Sequence, residues 1–219
     1  MPPCPAPDTC LLYLIRHGAT ANNLEKPPRV QGQASDPPLT PLGTQQAKET
    51  GEFLRRAALS GVYSSPLLRA VQTAEAVAAP HALAVQICPD VIEVDTGKWD
   101  GLNWDEIQRD FPEAYHSFMQ TPETHGYPSG EIMSDVLARS SAAIEKLMSE
   151  NLGHSIAMVA HNVVIKCYLG HVLGLPSVKA RSLSQKNCAI NLLRSRRDKV
   201  KLITLGAVFH LDEAAEKRG

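Results

Sequence analysis

No apolar run in this chain approaches the roughly 18 residues that a membrane span needs, so no membrane partner is expected. The opening MPPCPAPDTC has no cationic segment followed by an apolar one, so it does not read as a signal peptide. The five cysteines are odd in number and none forms a CxxC pair, which argues against a disulfide framework or a zinc knuckle. A reducing, cytoplasmic setting is the expectation that follows. Charge of one sign is also lacking. Lys and Arg number 22 against 23 Asp and Glu, a formal net charge of −1. That excludes a generally basic, nucleic-acid-coating protein, and no nucleic-acid partner is expected. A local cationic pocket remains open. Also missing are HExxH, GxxxxGK[ST], GxSxG and an EF-hand loop. Zinc-protease, P-loop, serine-hydrolase and calcium chemistries therefore lack their usual residues, and no metal ligands are assigned.

What is present is a globular composition. The 219 residues are 43% hydrophobic and 21% charged, enough for one domain with a sizeable core. The proline-rich residues 1–10 are predicted as a disordered tail, 11–211 as a single domain, and the charged 212–219 as a frayed end. β-Prone apolar runs occur at 11–16, 61–64, 83–88, 155–160, 187–193 and 200–208. Between them, Thr40-Pro41 is an N-cap and first-turn pair opening a helix to about Leu59. Ser65-Pro66 opens another to about Ala79. Residues 131–149 carry apolar side chains at helical spacing, and 162–173 read as an apolar helix stopped near Gly174. Strands alternating with helices predict a three-layer α/β/α sandwich with a mostly parallel sheet. The last two strands are joined only by RSRRDK (194–199), a solvated hairpin turn, so the sheet should be mixed with one antiparallel pair. Two exposed strand edges leave room for a homodimer.

Ligands of open α/β sheets bind at the carboxyl ends of the strands. The first strand runs into Arg16-His17-Gly18. The second runs into Ser64-Ser65-Pro66, with Arg69 in the following helix. The fourth runs into His161-Asn162. Two histidines and two arginines from distant places thus fall on one rim, beside helix N-termini that add N–H donors. Guanidinium forks in such a place suit phosphate oxygens.

The segments LIRHGAT (14–20), QGQASDPPLTPLGTQQA (31–47), VYSSPLLRAVQTAE (62–75), IEVDTGKWDGL (92–102), YPSGE (127–131) and MVAHN (158–162) stand in one order. Together they resemble the histidine phosphatase superfamily, which includes the cofactor-dependent phosphoglycerate mutases. The resemblance implies a phosphoglycerate mutase-like fold. His17 would be the nucleophile that becomes phosphohistidine, and Glu93 the proton donor and then the base. Arg16, Arg69 and His161 would hold the phosphoryl oxygens, with Asn23 and the Gln31-Gly32 turn completing the site. His17 must be neutral to attack, with its second ring nitrogen pinned by an acceptor, and Gly18 would let a backbone carbonyl come close. Burial beside Trp99 would raise the Glu93 pKa towards an acid's role.

Three positions depart from the family pattern: Asp100 for Glu, Ile132 for Ser after Glu131, and Asn162 for Gly. Resembling mutases carry a long insertion between the proton donor and the second histidine. Here positions 93 and 161 are 161 − 93 = 68 apart, as in the phosphatase branch. The expected activity is hydrolysis of a small phosphomonoester without a cofactor. The alternative is a phosphoglycerate mutase using 2,3-bisphosphoglycerate, and a third reading is a non-catalytic or protein-phosphatase regulatory module. Residues 103–129 should cover the pocket mouth, offering Trp104, Tyr115, His116 and Tyr127 to the leaving group.

Overall fold

A computed structural model describes residues 5–197 and 199–212. The chain runs β1 (Thr9–Arg16), α1 (Ala21–Leu24), α2 (Pro41–Leu54), β2 (Leu59–Ser64), α3 (Leu68–Ala78) and β3 (Val85–Ile87). It continues through α4 (Trp104–Asp110), α5 (Pro112–Gln120), α6 (Met133–Glu150), β4 (Ser155–Ala160), α7 (Asn162–Val172), α8 (Ser177–Ala180), β5 (Ile190–Arg196) and β6 (Lys199–Ala207).

The six strands form one sheet in the order β3-β2-β4-β1-β5-β6. Side-chain alternation on the central strands builds both cores. Leu12 and Leu14 of β1 and Ile156 and Met158 of β4 join Ile144 and Met148 of α6 and Ile165 and Leu169 of α7. Tyr13, Ile15, Ala157 and Val159 face the other way, onto Leu54 of α2 and Ala70, Ala74 and Val77 of α3. β4 is buried at every residue, as a parallel strand covered on both faces must be. The predicted α/β sandwich with a mixed, mostly parallel sheet is the observed one.

The sheet has two antiparallel pairings rather than the single one expected: β5 runs against β1, and β6 against β5. The reason lies just before β5. Cys188 N–H donates to the Arg16 carbonyl at 3.0 Å and Asn187 Nδ2 to the His17 carbonyl at 3.0 Å. The chain is thus tied to the carboxyl end of β1 before β5 begins, and β5 can only run back down. Arg196 pairs with Lys199, so most of RSRRDK is strand.

Other boundaries also moved. Thr9 and Cys10 belong to β1, paired with Arg196 and Ser195, and are buried rather than part of a tail. Residues 1–4 and 213–219 of the expected tails lie outside the described residues. α2 stops at Leu54, and Leu59 begins β2; Leu54, Ala57 and Leu59 are all buried in one layer, so hydrophobicity continues across the break. Thr40 caps α2 as expected, accepting from Gly43 N–H at 3.1 Å, a contact whose removal typically costs about 1 kcal/mol. α3 starts at Leu68, not after Ser65; Ser65 Oγ accepts from Leu67 N–H at 3.3 Å and also faces His161. Among the described residues, no helix is long and apolar enough to cross a membrane.

Candidate active site

Three neighbouring parallel strands, β2, β4 and β1, deliver their carboxyl ends to one place. The junctions are stitched to one another: His17 N–H donates to the Ala160 carbonyl at 3.1 Å and Ser65 N–H to the Val159 carbonyl at 3.0 Å. The His17 and His161 rings consequently sit 5.2 Å apart, centroid to centroid. The loop after His17 is clamped by the start of α2. A Cβ on Gly18 would lie 2.6 Å from the Gly43 carbonyl oxygen, and one on Gly43 only 2.1 Å from that of Ala19. Two glycines let the two backbones touch.

His17 is buried, and its Nδ1 lies 2.8 Å from the Gly18 carbonyl oxygen. That acceptor assigns the proton to Nδ1 and leaves the Nε2 lone pair free. Burial, then the Arg16 and Arg69 charges, push its pKa well below the ordinary imidazole value, so the ring is neutral. His161 is depressed in the same way by burial, Arg69 and its histidine neighbour. Its Nε2 meets Ser65 Oγ at 2.7 Å, while its buried Nδ1 has no protein partner.

The two guanidiniums are held by the backbone. Arg16 Nη1 donates to the Gln185 carbonyl at 2.6 Å, and its buried Nε has no protein partner. Arg69, fully buried, donates to the carbonyls of Ser35 at 2.9 Å and Gly32 at 3.0 Å, and pairs with Asp36 at 3.2 Å. With the Gln31 amide oxygen facing Arg69, that oxygen accepts from Nε and Nη1 at 3.0 Å each. Burial lowers the pKa of both arginines, Arg16 to about 10, so both keep their charge at neutral pH.

Glu93 is the buried acid. Its Oε1 accepts from Val94 N–H at 2.9 Å and its Oε2 from Val163 N–H at 3.3 Å. Burial raises its pKa above the ordinary carboxylate value, outweighing those two donors and both arginines. The segment that carries it is pinned by Arg139, which donates to the carbonyls of Asp90, Ile92 and Glu93 and to both oxygens of Glu131.

Arg16, His17, Asn23, Gln31, Glu93 and Asn162 line one cavity of about 150 Å³. Arg69 and His161 lie fully buried and do not line it. Gly32 differs from expectation. Its N–H is given to Asp100 at 3.1 Å and its carbonyl to Arg69, so it holds the arginine rather than facing the cavity. A Cβ there would lie 2.4 Å from Thr96 Oγ1. Asp100, a departure from the family pattern, thereby ties the Gly32 turn to the segment that carries Glu93. No side-chain cap is made by Ile132 at the start of α6; Gln33 and Arg139 occupy the neighbouring Glu131 carboxylate instead.

Of the four proposed leaving-group contacts, Trp104 and Tyr127 line the cavity. Tyr115 instead packs against Trp104 at 6.3 Å between ring centroids. His116 is exposed and bonded to Gln120. On an amphipathic helix such as α5, only the inward face reaches the site, and Phe118 occupies it. Phe118 packs against Trp99 at 5.2 Å and Tyr127 at 4.8 Å, forming an aromatic wall. The contributions of Ser65, Gln185, Asn187 and Arg139 were not assigned from sequence; each acts through a partner far along the chain.

A model of the histidine phosphatase superfamily (branch 1) matches residues 12–207. The chain belongs to that superfamily. It is 30% identical over 209 residues to a protein named probable phosphoglycerate mutase GpmB from Salmonella choleraesuis, covering 93% of this chain and 96% of that one. Among solved structures, phosphoserine phosphatase from Entamoeba histolytica in complex with 3-phosphoglyceric acid superposes with a TM-score of 0.83 at 26% identity, covering 92% of this chain and 98% of that one. A mycobacterial glucosyl-3-phosphoglycerate phosphatase gives 0.77 at 27%, covering 90% and 98%. This is therefore a histidine phosphatase superfamily enzyme, a phosphatase or a mutase.

Proposed function

We propose that this superfamily member is a phosphomonoesterase acting on a small phosphorylated metabolite through a phosphohistidine on His17. The observation that carries the reading is the His17 ring: neutral, its proton fixed on Nδ1 by the Gly18 carbonyl, and 5.2 Å from the His161 ring, with Arg16 Nε and His161 Nδ1 both buried and without a protein partner. Such nitrogens suit oxyanions of a phosphoryl group.

In the first step, His17 Nε2 attacks phosphorus, a P–N bond forms and the ester P–O bond breaks. Glu93, whose protonated form burial favours, gives its proton to the departing oxygen. In the second, the Glu93 carboxylate takes a proton from water as its oxygen attacks phosphorus. The P–N bond breaks and inorganic phosphate leaves. Phosphoryl transfer asks chiefly for positioning and charge neutralisation. Arg16 and Arg69 supply fixed positive charge, held in place by backbone carbonyls.

The neighbours named as phosphatases and the short spacing between Glu93 and His161 favour hydrolysis. The GpmB relatives favour a mutase as the second reading. Trapping the phosphoenzyme in acid-labile form and following its discharge tests both. Transfer to water supports the phosphatase; preferential transfer to 2- or 3-phosphoglycerate supports the mutase. A wild-type enzyme that turns over phosphomonoesters without any phosphorylated His17 would overturn the mechanism.

A further inference from the structure

A larger cavity adjoins the one at His17. A space of about 360 Å³ shares Trp104, Tyr127, Asn162 and Val163 with it. This second space lies within the roughly 300–1,000 Å³ range of pockets that hold sizeable organic ligands. Its additional walls are Phe118, Met119 and Met133, and its formal charges are Lys166 and Arg181, with no acid among the lining residues.

Among the described residues, both cations are held by hydrogen bonds rather than by ion pairs. Lys166 Nζ donates to the Arg181 carbonyl at 2.9 Å. Arg181 stacks over Phe118 at 4.4 Å and donates to the Phe118 carbonyl at 3.2 Å and Met119 Sδ at 3.1 Å. Among the described residues, no carboxylate lies in ion-pair distance of either. Both are partly buried, and burial pulls both pKa values down. Two adjacent cations withdrawn from water without an anion are costly, and an anionic ligand offsets that cost. They sit on α7 and just after α8, beyond the catalytic motifs, so their position in the sequence does not disclose the arrangement.

We propose that the alcohol part of the substrate has an apolar or planar body lying against the Trp104–Phe118–Tyr127 wall and a second anionic group, such as a carboxylate, held by Lys166 and Arg181. This rests on the His17 pocket binding the phosphoryl group and specifies what is attached to it. Charge-assisted hydrogen bonds of this kind correspond to a preference of about 10- to 100-fold.

The test is calorimetric binding of two phosphonates that cannot turn over, benzylphosphonate and 4-carboxybenzylphosphonate. Wild type should bind the carboxylated compound at least tenfold more tightly. Lys166→Gln and Arg181→Gln should each shrink that ratio towards one, and Arg181→Lys should restore part of it. Melting curves check folding, and if Arg181→Gln fails to fold, Lys166→Gln carries the test alone. Equal binding of the two compounds by wild type, or an unchanged ratio in the folded variants, overturns the second-anion site while leaving the phosphate pocket standing. Failure of wild type to bind either phosphonate overturns the phosphate pocket and, with it, this inference.

Discussion

Glu93→Gln separates the proton from the rest of the machinery. The side chain keeps its size and burial but can no longer give or take a proton at neutral pH. General acid catalysis is worth about 10²–10⁴-fold, or about 2.7–5.4 kcal/mol of barrier. That loss should appear in phosphoenzyme formation from an alkyl phosphate, whose alkoxide cannot leave unprotonated. It should be far smaller with p-nitrophenyl phosphate, whose phenolate leaves without help. The base for the second step is also gone, so with p-nitrophenyl phosphate the variant should release a burst of nitrophenol and accumulate phosphohistidine. Rapid-quench kinetics on both substrates read these steps directly. The pH profile supplies an independent check. The acid must be protonated to act, and its pKa is raised above 4.5. Wild-type formation of the phosphoenzyme should therefore fall as pH rises through that raised value, and the variant should lose this limb. Equal losses on the two substrates, or an intact limb in the variant, would refute the assignment of Glu93 as acid.

His17 and His161 are buried neutral, with folded pKa values well below the ordinary 6.5. The unfolded chain binds more protons below that pH, so stability should fall on acidification, by up to about 2.7 kcal/mol per pH unit for the pair. Urea melts between pH 7 and 5 should show this slope, roughly halved in His161→Gln; an identical slope would remove the histidines from the account. Arg139→Met frees the backbone that carries Glu93, and a misplacement of about 1 Å can cost about 10²-fold in rate. Its kcat should drop with little change in KM and with a displaced pH limb, whereas a purely structural role would lower only the melting temperature. Activity should survive exhaustive dialysis against EDTA, since two guanidiniums supply the positive charge. Complete loss that added metal restores would contradict this.

Where the candidate residues gather was legible because they stand at strand ends. His17 and His161 each directly follow a strand, and Arg69 sits in the first turn of the helix after a third. Short, nearly continuous apolar runs mark those strands as buried in one sheet, and parallel pairing brings their ends to one rim. The direction of β5 was not legible, since a strand's apolar pattern reads the same both ways. It was set by Asn187 and Cys188 holding the carboxyl end of β1. Gly32 and His116 were misplaced for a related reason: residue type and motif position do not say which way an amide or a helix face turns.

The amino-acid order alone determined the candidate reactive groups and the alternation of elements, because these depend on residues a few positions apart. Contacts across the fold decided the rest. Ser65 bonds His161, Arg139 holds the Glu93 backbone, and Lys166 and Arg181 charge the neighbouring cavity. Each such contact joins residues whose approach is set by how helices and sheet pack, and packing geometry is a property of the whole chain rather than of any local stretch.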